Sequence, residues 1–336
     1  MSWPSREVRL SSYPAGLPTA SDFALVDVTV DAPEEGGFVV RNEFLALDPY
    51  LRLSMTAARA QHGVFRLDRV VPALAVGRVV ASRNAAFPEG AVVAGHLGWR
   101  EYAPSTGRGV RVARLGELPT SYALNPLGMP GQTAWVGMKI GAPRAGETVY
   151  VSAAAGAVGA IAGQLAVLAG ARVVGSAGSA EKVDWLRDIG LAAAFNHREV
   201  SVADGLAGAA PDGVDLFFDN VGGRTLEAGI DAMNEHGRIV SCGAIALYND
   251  AREEPGPRNL DQISQKALTV TGFRYTDRDD ERDAFEAEIA ELLATGRLRV
   301  AETFVDGIEN TVDAFLSVFT SSPLGKPLVR LAGADA

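Results

Sequence analysis

The stretch Glu147–Lys182, ETVYVSAAAGAVGAIAGQLAVLAGARVVGSAGSAEK, constrains the fold more than any other part of the chain. Thr148–Ser152 is short, apolar and β-branched, the composition of a buried strand. Ala154-x-Gly156-x-x-Gly159 follows at once, then a small-residue helix over Ile161–Leu168 and a second buried strand over Ala171–Ala177. This is the G-x-G-x-x-G dinucleotide pattern with Ala154 at the first glycine. Small residues there let a pyrophosphate approach the backbone, and the helix start offers N–H groups and the positive end of its dipole. A glycine triplet alone is weak evidence. Its place between two strands and at the head of a helix makes it specific, against the alternative of a βαβ unit that merely packs tightly.

A chain of 336 residues is long enough for two domains. Its composition, 47% hydrophobic with 37 Gly and 17 Pro, is that of a globular, loop-punctuated α/β protein. The net charge of −10 argues against a general nucleic-acid partner. Cys242 is the single cysteine, so neither a disulfide framework nor a cysteine-based zinc cluster can form within the chain. The opening MSWPSREVRL lacks the apolar core of a signal peptide, and no run of about 18 apolar residues reads as membrane-spanning. A cytoplasmic protein without a membrane partner is expected.

Residues 1–125 read as β-rich. Phe23–Val30 alternates, Glu35-Gly36-Gly37 is a turn, and Phe38–Leu47 is expected to return as the second strand of a hairpin. Asp48-Pro49-Tyr50-Leu51-Arg52 breaks the pattern, and Ala57–Asp68 reads as a loop. Ala75–Ser82, Ala91–Gly95, Gly98–Ala103 and Gly109–Arg114 complete a small barrel-like set. The character changes at Pro126. A helix is expected to about Ile140, after which strands and helices alternate to about residue 275, with strands at Ala192–Asn196, Val214–Asp219, Arg238–Cys242 and Leu268–Phe273. Such alternation predicts a doubly wound parallel sheet of Rossmann type. Helices over Glu281–Leu293 and Gly307–Phe319 and a last strand over Lys326–Leu331 follow.

Such a sheet binds its ligand at the carboxyl ends of its strands. NAD binders tend to carry an acid at the end of the second strand; here Gly178-Ser179-Ala180-Glu181-Lys182 stands there. Gly178 and Ser179 offer an N–H and a hydroxyl, and Lys182 a point charge suited to a phosphate. NADPH is therefore the expected cofactor, with helix phase turning Glu181 away. Asn220, the Cys242-Gly243-Ala244-Ile245 run and Phe273-Arg274-Tyr275 follow other strand ends and are expected along the cofactor groove.

The pieces LDPYLR (47–52), LGMPGQTAW (127–135), AAAGAVG (153–159), GSAEK (178–182), FDNVGG (218–223) and GRIVSCGAIALYN (237–249) together resemble the zinc-independent medium-chain dehydrogenase/reductases, nearest to the prostaglandin reductase / leukotriene B4 dehydrogenase / 2-alkenal reductase group. The resemblance implies a GroES-like β-barrel substrate domain over 1–125, completed by about 302–336, and a Rossmann NADPH domain over 126–301. It also implies a homodimer, and reduction of a carbon–carbon double bond conjugated to a carbonyl. By motif position it implies cofactor contacts at Thr133, Gly156, Ala157, Val158, Gly159, Lys182, Asn220, Cys242 to Tyr248, and Phe273 onward. His197 stands where relatives carry tyrosine and is expected to meet the 2′-phosphate in its place. Pro323 stands where relatives carry asparagine and removes an amide from the nicotinamide end.

The histidines at 62, 96, 197 and 236 lie far apart, without paired ligand spacing, which fits a zinc-free branch. Tyr248 is the expected donor to the negative charge that develops on the substrate's carbonyl oxygen. Tyr50 and Trp135 are expected substrate contacts, with His62 and Arg258 also weighed as pocket residues and Arg252–Arg258 as a lid. Quinone reduction and a non-catalytic NADPH-binding regulatory role are the alternatives.

Overall fold

The structure, a computed structural model, describes residues 1–60, 65–249, 256–320 and 323–334. His62 and most of the Arg252–Arg258 stretch lie outside the described residues. The chain divides into two compact units, Met1–Asn125 with Glu302–Ala336, and Pro126–Ala301.

The first unit begins with strands β1 (Ser2–Leu10), β2 (Phe23–Asp31) and β3 (Phe38–Ala46), and short helices α1 (Leu51–Ser54) and α2 (Ala57–Ala60). Strands β4 (Arg69–Val70), β5 (Ala75–Ser82), β6 (Val92–Gly95), β7 (Tyr102–Ser105) and β8 (Val110–Val112) follow. The expected hairpin between Phe23–Val30 and Phe38–Leu47 does not form. The residues of β2 pair along their length with β1, from Leu10↔Phe23 to Ser2↔Asp31. Strand β3 instead joins β5 and β7. The cause is burial. β2 alternates and keeps one face in water, whereas β3 is buried on nearly every residue and is covered on both faces. The N-terminal decapeptide, read only as lacking a signal core, is thus a sheet strand. The loop expected over Ala57–Asp68 opens with a turn of helix.

The second unit alternates β9 (Thr148–Val151), β10 (Arg172–Ala177), β11 (Ala193–Asn196), β12 (Val214–Asp219), β13 (Met233–Ser241) and β14 (Thr269–Gly272) with helices α3 (Met129–Gly141), α4 (Ala157–Leu168), α5 (Ala180–Asp188), α6 (Val202–Ala209), α7 (Gly223–Ala232), α8 (Asp261–Gln265) and α9 (Arg282–Ala294). The strand order is β11-β10-β9-β12-β13-β14, and every pairing is parallel. The order reverses on either side of β9, the switch point at which such sheets bind ligands. The central strands are buried on both faces, and Tyr150 and Phe217 stack at 4.7 Å within their core. Local signals agree with this layout. Ser179 and Ser201 cap α5 and α6 by accepting from the Lys182 and Asp204 N–H groups.

The chain then returns to the first unit through β15 (Glu302–Asp306), α10 (Thr311–Thr320) and β16 (Lys326–Arg330). Strand β16 pairs in parallel with β15 and antiparallel with β3, which continues to β5, β6 and β8. Lys326 pairs with Asp48 in the interior, where the two are 1% and 3% exposed. Removing one partner of such a pair commonly costs about 3–5 kcal/mol, so this contact ties the C-terminal strand to the turn after β3.

Candidate functional site

The site is built at the carboxyl ends of β9, β10, β12 and β13, all within Pro126–Ala301. After β9 the chain turns through Ala153, whose φ of +47° is a strained value for a residue with a side chain. It enters α4 at Gly156, with no side-chain cap on the first N–H groups. Those groups are the ones a phosphate accepts from. A Cβ at Gly159 would lie 2.5 Å from the Ala153 carbonyl oxygen and 2.8 Å from the Ala154 Cα. The close approach of turn and helix therefore requires glycine at 159, and a Cβ at Gly156 would also lie 3.3 Å from the same carbonyl oxygen. Gly156, Ala157, Val158 and Gly159 sit together at this helix start.

Beneath the turn lies a buried carboxylate. Asp219, 1% exposed, ends β12. Its Oδ1 accepts from the Ser152 hydroxyl at 2.9 Å and the Val221 N–H at 3.0 Å, and its Oδ2 from the Gly222 N–H at 3.0 Å. Its backbone carbonyl accepts from the N–H groups of Cys242 and Gly243 at 2.8 and 3.1 Å. Asn220 donates its amide nitrogen to the Ser152 carbonyl at 2.7 Å. One residue thus joins the turn after β9, its own loop and the loop after β13. Burial pushes the Asp219 carboxyl above its ordinary range, against the pull of its N–H and O–H donors. Burial also pushes the Cys242 thiol up to about 12, so it remains a thiol.

The Tyr248 ring folds back over the loop after β13. Its hydroxyl is 3.3 Å from the position a Cβ of Gly243 would take. Burial raises its pKa, so the phenol keeps its proton at neutral pH. Ala244 and Ile245 lead into the short turn that carries it.

The end of β10 gathers positive charge. Lys182, expected as a phosphate contact, is 8% exposed. Arg198 Nε and His197 Cε1 would each lie 3.3 Å from a Cβ at Gly178. Burial, then Arg198, lowers the Lys182 pKa. Burial, then Arg198 and Lys182, lowers that of His197. Glu181 is exposed. Three like-charged or chargeable groups packed together repel, and an anion between them removes that cost. A 2′-phosphate fits this set, and the open helix start fits a pyrophosphate. Arg198 was missed in the sequence, although it directly follows His197; its signal was only adjacency.

Other expected contacts stand as follows. The Thr133 hydroxyl donates to the Met129 carbonyl of its own helix at 2.7 Å. Phe273 packs edge-on to Phe218 at 6.5 Å, and the exposed Arg274 pairs with Asp277. Tyr50, in the other unit, begins α1 and packs on that unit's core. Trp135, expected as a substrate contact, packs within its own unit. It is 2% exposed, edge-on to Phe285 at 6.0 Å, and its indole N–H donates to Glu288 at 2.8 Å. A large ring on α3 is consumed by packing against α9. Arg258 is likewise taken up by Glu227 on α7. Among the described residues, no group of three or more His, Cys, Asp or Glu side chains is placed to hold a metal ion. No helix among them is long and apolar enough to cross a membrane.

Comparisons with known proteins agree with this geometry. Residues 6–112 match the family described as the N-terminal domain of oxidoreductase, and residues 157–293 the family described as zinc-binding dehydrogenase. Prostaglandin reductase 1 of Bos taurus is 38% identical over 96% of this chain and 97% of its own length. NADPH-dependent curcumin reductase of Escherichia coli is 34% identical over 97% and 96%. The crystal structure of CurA from Vibrio vulnificus in complex with NADPH superposes with a TM-score of 0.90 at 35% identity, covering 97% of this chain and 99% of that one. The fold and site define a medium-chain dehydrogenase/reductase. Within that superfamily the chain belongs to the prostaglandin reductase group.

The Asp219 network predicts its own test. Asp219→Ala strands three donors and should lower the unfolding free energy by about 2–4 kcal/mol in urea titration, with Asp219→Asn losing less. Equal stability of all three proteins would show that the network holds nothing.

Proposed function

We propose that this protein is an NADPH-dependent reductase of carbon–carbon double bonds conjugated to a ketone or aldehyde carbonyl, acting without zinc as a cytoplasmic homodimer. The convergence of Lys182, His197 and Arg198 at Gly178 carries the cofactor half of the reading. The acceptor half is supported by the relatives, a prostaglandin reductase and a curcumin reductase. A single cysteine suits both a zinc-free site and a reducing compartment.

Bound NADPH supplies a hydride to the β-carbon of the substrate. The chain's own residues do the rest. The start of α4, from Gly156 to Gly159, holds the pyrophosphate, and Lys182, His197 and Arg198 hold the 2′-phosphate, with Ser179 and the Gly178 N–H beside them. Asn220, the run Cys242–Ile245 and the segment Phe273–Tyr275 border the remainder, and Thr133 is kept as a contact of the same groove. Negative charge would then grow on the substrate's carbonyl oxygen, and a proton from solvent or a tyrosine would complete the reduction at the α-carbon. Tyr248, whose proton burial retains, donates a hydrogen bond to that oxygen. Tyr50 is kept as a substrate contact.

The dimer is argued from β14. It is the outer strand of its sheet, Thr269–Gly272 carries no charge, and Val270 is 46% exposed. An uncharged, exposed edge is the kind of strand that a second copy can extend. Val270→Lys should convert a dimer to a monomer in size-exclusion chromatography with light scattering. A wild-type monomer would remove the dimer from the proposal.

Following NADPH oxidation with simple enals, enones and quinones tests the activity. Turnover of enones and enals is expected, and turnover of quinones alone, or of nothing, overturns the reading. Tyr248→Phe should lower kcat/KM for an enone by about 100-fold, the scale of losing one aimed donor. An unchanged value removes Tyr248 from the mechanism.

His197 gives a pH signature. Burial, then Arg198 and Lys182, depress its pKa in the free protein, with Glu181 and Glu199 the nearby acids in sequence. A bound 2′-phosphate reverses that repulsion and raises the pKa. Binding therefore takes up a proton, and affinity falls as pH rises. The Kd for NADPH should increase as pH rises through the bound-state His197 pKa, read above the second ionisation of the phosphate, while that for NADH stays flat. In His197→Gln the NADPH slope should vanish; the same slope in both proteins rules out His197 as its source.

A further inference from the structure

A buried amide on α3 is used by nothing above. Gln132, 1% exposed, satisfies both ends of its side chain on one stretch far along the chain. Its Nε2 donates to the Tyr275 carbonyl at 3.2 Å and to Asp279 Oδ1 at 2.9 Å. Its Oε1 accepts from Arg282 Nη2 at 2.6 Å, and the same Arg282 nitrogen reaches Asp279 at 3.1 Å. Helix α3 grips the same stretch a second time. A Cβ at Gly137 would lie 2.9 Å from the Phe273 ring and 2.4 Å from the Phe218 ring, so only glycine lets the segment after β14 come so close.

Apart from the pairing of β14 with β13 and the Arg274–Asp277 bonds, the gripped stretch lies near the surface. β14 is exposed along most of its length, and the turn Tyr275–Glu281 has no buried residue and an interruption at Arg278. Its position in the sheet gives the grip a meaning. β10, which carries the 2′-phosphate cations, lies on one side of β9; β12, β13 and β14 lie on the other. A dinucleotide laid across the switch point puts its adenosine half over β10 and its nicotinamide half toward β13 and β14.

We infer that Gln132, with Asp279 and Arg282, is a positioning residue that holds the segment Phe273–Tyr275 as the wall of the nicotinamide half of the cofactor site. This rests on the NADPH reading above. Gln132 itself touches no cofactor; it acts through the Tyr275 backbone. Loss of the clamp lets that wall move and weakens only ligands that reach it.

Calorimetric titration with two ligands tests the inference: NADPH, and 2′,5′-ADP, which keeps the 2′-phosphate and lacks the nicotinamide. Gln132→Leu should raise the Kd for NADPH by about tenfold and leave that for 2′,5′-ADP within about twofold. Gln132→Glu keeps the acceptor for Arg282, loses the donor to Tyr275, and should be impaired in the same selective way. Asp279→Ala breaks the clamp from an exposed position and should raise the NADPH value alone, which serves if a Gln132 variant does not fold. Equal loss for both ligands means general loosening and overturns the inference, as does no change in either. A wild-type protein that binds neither ligand overturns the NADPH reading instead.

Discussion

The cofactor site depends on one buried carboxylate. Asp219 sits where β12 ends, and its two oxygens and its carbonyl collect donors from three separate loops. Loops at strand ends have few backbone partners of their own, and an unpaired buried N–H is costly. Collecting them on one acceptor makes the turn after β9 and the loop after β13 parts of one rigid floor. The helix start at Gly156 and the ring of Tyr248 are then held by the same residue, although they lie far apart in sequence.

Around that floor the chain places its charges by position in the sheet. The cations gather beside β10, and the uncharged loops lie across β9, toward β13. A ligand with a phosphate at one end and an uncharged reactive ring at the other meets a surface with the same polarity. Repulsion among Lys182, His197 and Arg198 is a cost that an anion bound between them would offset. Burial, and then Arg198 and Lys182, hold the His197 pKa below the ordinary histidine value.

Much of this architecture is visible in the chain before it folds. Val214–Asp219 reads as a strand and is one, and Ala193–Asn196 and Thr269–Gly272 lie within a residue of their expected limits. Strands buried on both faces announce themselves as apolar runs, whatever their partners. Pairing is another matter. Phe23–Val30 and Phe38–Leu47 are both strands, yet neighbours in sequence are not neighbours in the sheet. Register comes from which faces need burial, and periodicity does not name the partner.

The stretch Glu147–Lys182 by itself determined a strand, a tight turn, a helix and a strand, and with them a place for a pyrophosphate. The absence of an acid at Gly178 determined the preference for a phosphate, because charge is written directly in the residues. Only the tertiary structure decided that Lys182 is buried, that Arg198 joins it, and that Trp135 is spent on helix packing rather than on a ligand. It also decided that Gln132 reaches Tyr275, Asp279 and Arg282. The physical reason is range. A local pattern fixes which way a side chain leaves its own element, while what it meets there is set by other elements, for Gln132 and Trp135 more than a hundred residues away.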